Sequence, residues 1–282
     1  MNLNGLTRDE TASPTVWPSV GLHAGETWIS DDDEIVQAGI GADGTGIIVS
    51  MRDLGADVSA SFWDDEIAKL AYLKSTAAAP VLDARIVDDR FFVVTTEWAQ
   101  GTPIIARLQR GPLMSDEVIA LLLAALDVCA ALQELGLSSS GMRLRSALLT
   151  HDDGRPRCTI STYGLHVDND IEMFEELREI ALRVLSIVGG HVERASLVIP
   201  SDAVSPELER VLRRAVGLGG PTYATPGDMA AAVLASLGRP RPRGGVPRSV
   251  VKTRPMVTAA VASTASSDLL LAEDFIRSLP RG

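Results

Sequence analysis

The chain has 282 residues, 46% hydrophobic and 22% charged, which excludes a disordered polypeptide and supplies core material for one large domain or two small lobes. Its formal charge of −11 argues against nucleic acid or an anionic membrane surface as the main partner, because both would repel it. From Arg239 onward seven arginines and Lys252 outweigh Asp268, Glu273 and Asp274 by +5, which leaves −16 on residues 1–238: an acidic body with a basic tail.

Apolar runs such as 118–126 fall far short of the ~20 residues a membrane span needs. The opening MNLNGLTRDETASP lacks the basic-then-apolar layout of a secretory signal. Cys129 and Cys158 are the only cysteines, and His23, His151, His166 and His191 are scattered, so no disulfide framework and no metal cluster is expected. The expectation is a soluble, cytoplasmic protein without a metal.

Residues 1–27 are polar and punctuated by proline and glycine, which predicts an irregular arm. The acidic run Asp31-Asp32-Asp33-Glu34 reads as a solvated lead-in to a strand, since no Gly-spaced calcium loop follows it. Residues 35–46 are glycine-rich and run into a β-like stretch, Ile47-Ile48-Val49. In 57–63, Val58, Ala60 and Phe62 alternate with Ser59 and Ser61, the period of a strand. Residues 64–74 place Ile67, Leu70, Ala71 and Leu73 near helical spacing, with Asp64 and Asp65 at the end where a helix favours acids. Strands over 81–87 and 91–96, split by Asp88-Asp89-Arg90, predict a hairpin. Residues 28–100 are thus expected to form an antiparallel lobe with one helix.

After Gly101 the pattern turns helical. Residues 115–135 predict a long helix capped by Ser115 ahead of Asp116 and Glu117. Short strands at 146–150 and 157–161 flank His151-Asp152-Asp153-Gly154, whose Asp-Gly pair signals a turn. Helices follow over 170–188, 206–215 and 226–237, and Gly238 closes the body. Residues 101–238 therefore make a second, mainly helical lobe, and the fold class is α+β. The basic, Pro/Ala/Ser-rich stretch 239–267 predicts an extended linker. In 268–282, Leu269, Leu270, Phe275, Ile276 and Leu279 share much of one helical face and form the candidate partner-binding set. That helix either packs back on the acidic body or docks on another protein, because a short isolated helix is marginal alone.

Several local patterns arrive in a particular order. Gly39-Ile40-Gly41-Ala42-Asp43-Gly44 comes first, then Glu66 on the first helix, then FFVVTTEWAQG at 91–101. GLSSSGMRLRSALLT at 136–150, Ser161-Thr162-Tyr163-Gly164 and the helical stretch 204–237 with its Tyr-Ala-Thr-Pro segment complete the series. Together with the element order they resemble the bilobal fold of bacterial Ser/Thr protein kinases over about residues 28–237. The resemblance implies a phosphate-covering loop at Gly39, Gly41 and Gly44, a hinge at Glu97 and Trp98, a catalytic loop over 136–146, and a magnesium-binding position near Thr162.

Phosphoryl transfer needs a lysine on the phosphates, an Asp to orient the nucleophile, and Asn plus Asp on magnesium. No lysine precedes Lys69, and Ser59 or Ser61 stands near the expected third-strand lysine. Ser139, Ser140 and Gly141 replace the catalytic His-Arg-Asp, Arg143 the catalytic-loop lysine, Ser146 the Asn and Thr162 the metal-binding Asp. None of these offers the carboxylates magnesium prefers. Gly164 is followed within six residues by Asp170, already at the next predicted helix, which leaves no room for an activation segment. The resemblance thus implies a catalytically inactive pseudokinase, needing no cofactor, that binds another protein as regulator or scaffold. Two alternatives stand beside it: an atypical nucleotide-dependent transferase on the kinase fold, and a kinase-like accessory subunit of a peptide-modifying biosynthetic complex. For the cleft, metal-free ATP held against Glu97 and Trp98 with Arg143 on the phosphates competes with an occluded or empty space.

Overall fold

A computed structural model describes residues 27–31, 34–40, 46–54, 63–87, 90–161, 163, 172–194, 196–200 and 204–237. The arm over 1–26, Gly41, Gly44, Ser59, Ser61, Thr162 and the whole tail with Leu269, Leu270, Phe275, Ile276 and Leu279 lie outside the described residues.

The first strand, β1 (Thr27–Asp31), begins at the last residue assigned to the arm and pairs antiparallel with β2 (Glu34–Ile40), from Thr27↔Gln37 to Asp31↔Glu34. The acidic run spans the end of β1 and the start of β2, Asp31 pairing with Glu34, while Asp32 and Asp33 lie outside the described residues. Next, β3 (Gly46–Asp53) pairs with β2 from Ile40↔Gly46 to Glu34↔Arg52, so the glycine-rich stretch is largely strand. The strand expected at 57–63 lies outside the described residues except for Trp63, which is buried and precedes helix α1 (Asp64–Leu70) as its N-cap residue. This helix stops short of Lys74: Tyr72 and Leu73 donate to the carbonyls of Lys69 and Leu70, a tightened last turn.

The hairpin of β4 (Val81–Val87) and β5 (Phe91–Glu97) pairs from Val81↔Thr96 to Val87↔Phe91. The resulting antiparallel sheet has the order β1-β2-β3-β5-β4, with α1 carrying the chain across from β3 to β4. Within β5 every residue over 92–96 is buried, so both faces of that strand are covered. Phe92 and Val94 join the main core with Trp63 and Leu70, while Val93 meets Met51 and Val87 in a small separate cluster. Alternate residues of a strand point to opposite faces, which assigns the two clusters to the two sides of the sheet.

The remainder is mainly helical. After β6 (Thr102–Pro103) and α2 (Ile104–Leu108) comes the long helix α3 (Ser115–Glu134). Its cap position is Met114, not Ser115: the Glu117 carboxylate reaches back to accept from the Met114 N–H at 2.7 Å. Strands β7 (Leu148–Asp152) and β8 (Arg155–Thr159) turn at Asp153 and Gly154, whose φ values of 50° and 74° are what a tight two-residue hairpin demands. Helix α4 (Met173–Ile187) starts later than Asp170, and a hairpin of β9 (His191–Glu193) and β10 (Ser196–Val198) precedes α5 (Pro206–Ala215) and α6 (Pro226–Ser236). The last two helices open as their sequences predict, with Ser205 and Thr225 hydroxyls accepting from Leu208 and Asp228 N–H groups and a proline in the first turn. Val118, Leu121, Leu122, Ala125, Leu126, Cys129 and Leu132 bury most of α3, which packs on β8, α4 and α6 and is the axis of this part. No helix among the described residues is long and apolar enough to cross a membrane.

One ion pair fixes the entry to α3. Arg107 on α2 grips the Glu117 carboxylate with Nε and Nη2, both at 2.9 Å, and its Nη1 donates to the Gly111 carbonyl at 3.2 Å. Glu117 is 1% exposed, so removing the guanidinium strands a buried charge. Arg107→Ala is expected to destabilise the protein by about 3 kcal/mol, read from the urea midpoint. An unchanged midpoint would show that water reaches Glu117 and replaces the arginine.

Candidate functional site

The chain leaves the sheet through Glu97 and Trp98 and passes to β6, which pairs with β7. Glu97 is exposed at the end of β5, paired with Ile47. Trp98 is half-buried and donates its N–H to the Gly46 carbonyl at 2.8 Å. A Cβ at Gly46 would sit 2.8 Å from the Trp98 Cβ, so the approach of the two strands requires glycine there.

The space between the sheet and β7 is filled by protein. Val36 of β2, Ile48 of β3 and Leu148 of β7 are each 0% exposed and pack as one cluster, flanked by Ala38, Trp98 and Ala99. The third strand is Gly46–Asp53, and Ser59 and Ser61 lie outside the described residues. Ser50 and Arg52 follow Ile48 on its own face; Ser50 is buried, and Arg52, the one cation of β3, lies opposite Phe92 and Glu34. Sequence reading missed Arg52 because it took only the first half of the strand as β. Gly39 is a paired strand residue opposite Ile47 rather than part of a loop. The glycine run connects β2 to β3 at the Glu97 end of the sheet, while the acidic β1–β2 turn lies at the opposite end.

In the helical part, Ser139–Gly141 form a single 3-10 turn and all three residues are buried. The Ser139 hydroxyl donates to Glu176 Oε2 of α4 at 2.8 Å, the Ser139 N–H lies 3.4 Å from the same oxygen, and Cys129 Sγ donates to it at 3.6 Å. Ser138 caps the turn by accepting from the Ser140 N–H at 3.2 Å. Arg183 donates to the carbonyls of Ser140 and Met142 and to Glu179, lashing the segment to α4. Ser146, fully buried at the end of the turn Leu144–Ser146, donates to the Arg143 carbonyl at 2.9 Å. Arg143 is half-buried. Beside Thr162, Tyr163 is buried and donates to the Ile160 carbonyl at 2.7 Å, and burial pushes its phenol well above the usual range.

Ser139, Ser140, Gly141 and Ser146 thus come together as structural elements whose polar groups are spent on the protein itself. Glu176, which organises them, was not singled out from sequence, although it falls on the same helical stripe as Leu177, Ile180, Ala181 and Val184. An acid on an apolar stripe was the available signal. Among the described residues no group of three or more His, Cys, Asp or Glu could hold a metal ion.

Burial pushes the Cys129 and Cys158 thiols from 9.0 up to about 12, with the Glu176 carboxylate adding to the shift at Cys129 and Glu117 at Cys158. About one thiol in ten thousand is then ionised at pH 8, which works against either cysteine acting as a nucleophile. The native protein is expected to resist Ellman's reagent at pH 8 and to react at both thiols once unfolded; rapid native labelling contradicts this. Because the native thiols ionise above the unfolded ones, their contribution to stability is complete below pH 9 and is lost as pH rises towards 12. The urea midpoint should fall over that interval.

No family model matches the chain, and no curated protein matches it.

Proposed function

We propose that the chain is a pseudokinase: a bilobal, kinase-like protein that performs no phosphoryl transfer and works by binding another protein, as regulator or scaffold. The sheet order β1-β2-β3-β5-β4, the helix α1 between the third and fourth strands, and the passage through Glu97 and Trp98 to a helical body support this architecture. The first lobe is the sheet with α1 and the second runs from β6 to α6.

The observation that carries the loss of chemistry is the filled cleft. A planar base lodged against Glu97 and Trp98 would have to displace Ile48 and Leu148, whose side chains are wholly buried against Val36. Beyond it, phosphates would meet an acidic β1–β2 turn instead of a glycine-rich one, with no lysine on β3. The segment at the catalytic position is buried and hydrogen-bonded to Glu176 and Arg183, so it cannot present a base to a substrate. Metal-free nucleotide binding loses support on the same grounds. Partner binding is assigned to the outer surfaces, including the helix that carries Glu66, and to the basic tail with Leu269, Leu270, Phe275, Ile276 and Leu279.

Calorimetric titration of the full chain with ATP, alone and with Mg²⁺ or Mn²⁺, tests the reading. No saturable heat is expected under any of the three conditions. Metal-dependent micromolar binding would move the protein to the atypical transferases. Deletion of 239–282 is expected to weaken capture of partner proteins while the thermal midpoint of the body holds; a lowered midpoint with capture intact would make the tail a structural element instead.

A further inference from the structure

We propose that Asp127 is the catch of a latch that holds the five-stranded sheet on the helical body, so that the two move as one unit and the Glu97–Trp98 link does not act as an open–close hinge. Asp127 lies on an exposed position of α3, a helix otherwise given over to apolar packing. Its Oδ2 accepts from three groups of the segment that joins α1 to β4: the Ser75 hydroxyl at 2.6 Å, the Thr76 hydroxyl at 3.2 Å and the Ala77 N–H at 3.4 Å. The Ser75 hydroxyl also accepts from the Ala77 N–H at 3.0 Å, which folds the segment around the carboxylate. Hydrogen bonds to a charged acceptor are the stronger kind, and one carboxylate holding three donors from one loop is a fastening rather than a chance surface contact.

Next to the catch the same segment is stitched to Ile160, the residue that follows β8. The Ile160 N–H donates to the Ala77 carbonyl at 2.7 Å and the Ala79 N–H to the Ile160 carbonyl at 2.8 Å, a parallel bridge centred on Ala78. Ala77, Ala79 and Ile160 are buried, so these bonds exchange poorly with water and are costly to break singly. Nearby, the Thr96 hydroxyl of β5 donates to the Ser161 carbonyl at 3.2 Å. The apolar cluster of Val36, Ile48 and Leu148 fixes the sheet at a separate place. Fastenings at separate places remove the freedom a hinge needs, and Asp127 is the one that solvent reaches, so opening starts there. This inference stands apart from the pseudokinase reading, since the latch would constrain an active transferase equally.

Hydrogen exchange of the full chain, followed amide by amide, tests it. In Asp127→Ala the amides of Ala77, Ala79 and Ile160 are expected to exchange at least tenfold faster, while those of α4 and α5 keep their protection. Asp127→Asn, which retains one acceptor oxygen, should restore part of the slow exchange. Should the alanine variant fail to fold, Ser75→Ala removes only the shortest contact and should give a smaller rise at the same amides. Unchanged exchange at Ala77, Ala79 and Ile160, or an equal rise throughout the body, overturns the latch.

Discussion

Three aliphatic side chains meeting between the sheet and the β7 strand govern what this molecule can do. Val36, Ile48 and Leu148 leave water completely, and burying an aliphatic side chain of this size is worth about 1.5–3 kcal/mol each. On the pseudokinase reading, a ligand entering the same space would have to separate these side chains and replace the contacts they make with one another. Charge neutralisation by lysine and magnesium supplies much of a nucleotide's affinity in a working phosphotransferase, and β3 has no lysine to offer. On the pseudokinase reading the packing and the missing lysine point the same way, with Arg52 the one cation that β3 retains.

The buried polar groups follow from the same economy of space. Once Ser139 sits inside the body, its hydroxyl needs an acceptor and Glu176 needs donors, and the pair at 2.8 Å answers both needs, with Cys129 as a further donor. Arg183 then donates hydrogen bonds to the carbonyls of Ser140 and Met142 at the other end of the turn. A charged catalytic side chain at Ser139 or Ser140 would find no hydration there, so small hydroxyl residues are what the site accommodates. Residues that read in sequence as missing chemistry are, in three dimensions, a hydrogen-bonded support for α4.

Much of the architecture was legible wherever local chemistry is decisive. The β4–β5 hairpin, the Asp153-Gly154 turn and the two Pro-started helices follow from alternation, positive φ and hydroxyl caps, which act over a few residues. Elements set by distant partners were not. The β1–β2 hairpin was hidden because an acidic run interrupts it and a glycine-rich run overlaps the end of β2, and its pairing depends on β3 rather than on its own propensity. Helix α1 ends early, before the segment at Ser75 that reaches Asp127 on α3, a residue 52 positions away. The cap of α3 moved to Met114 because Glu117, already held by Arg107, supplies the acceptor. Ile48 and Leu148 could not be told from ordinary strand residues, since nothing in a one-dimensional pattern says which apolar faces will meet.

The filled cleft and the absent charges also constrain one another, and on the pseudokinase reading this decides how they belong together. A cleft emptied of nucleotide and metal is a void between two apolar faces, and unfilled volume in a core costs roughly 24 cal/mol per Å³. Large aliphatic residues at Ile48 and Leu148 remove that cost as soon as no ligand competes for the space. With Val36, Ile48 and Leu148 packed together and the 75–79 segment bonded to Asp127 and Ile160, a pseudokinase would present a preformed surface. A partner that meets a preformed surface loses less entropy on binding than one that must first select an open or a closed state. On that reading rigidity replaces catalysis as the property to be maintained, and the packing that would keep a nucleotide out also provides it.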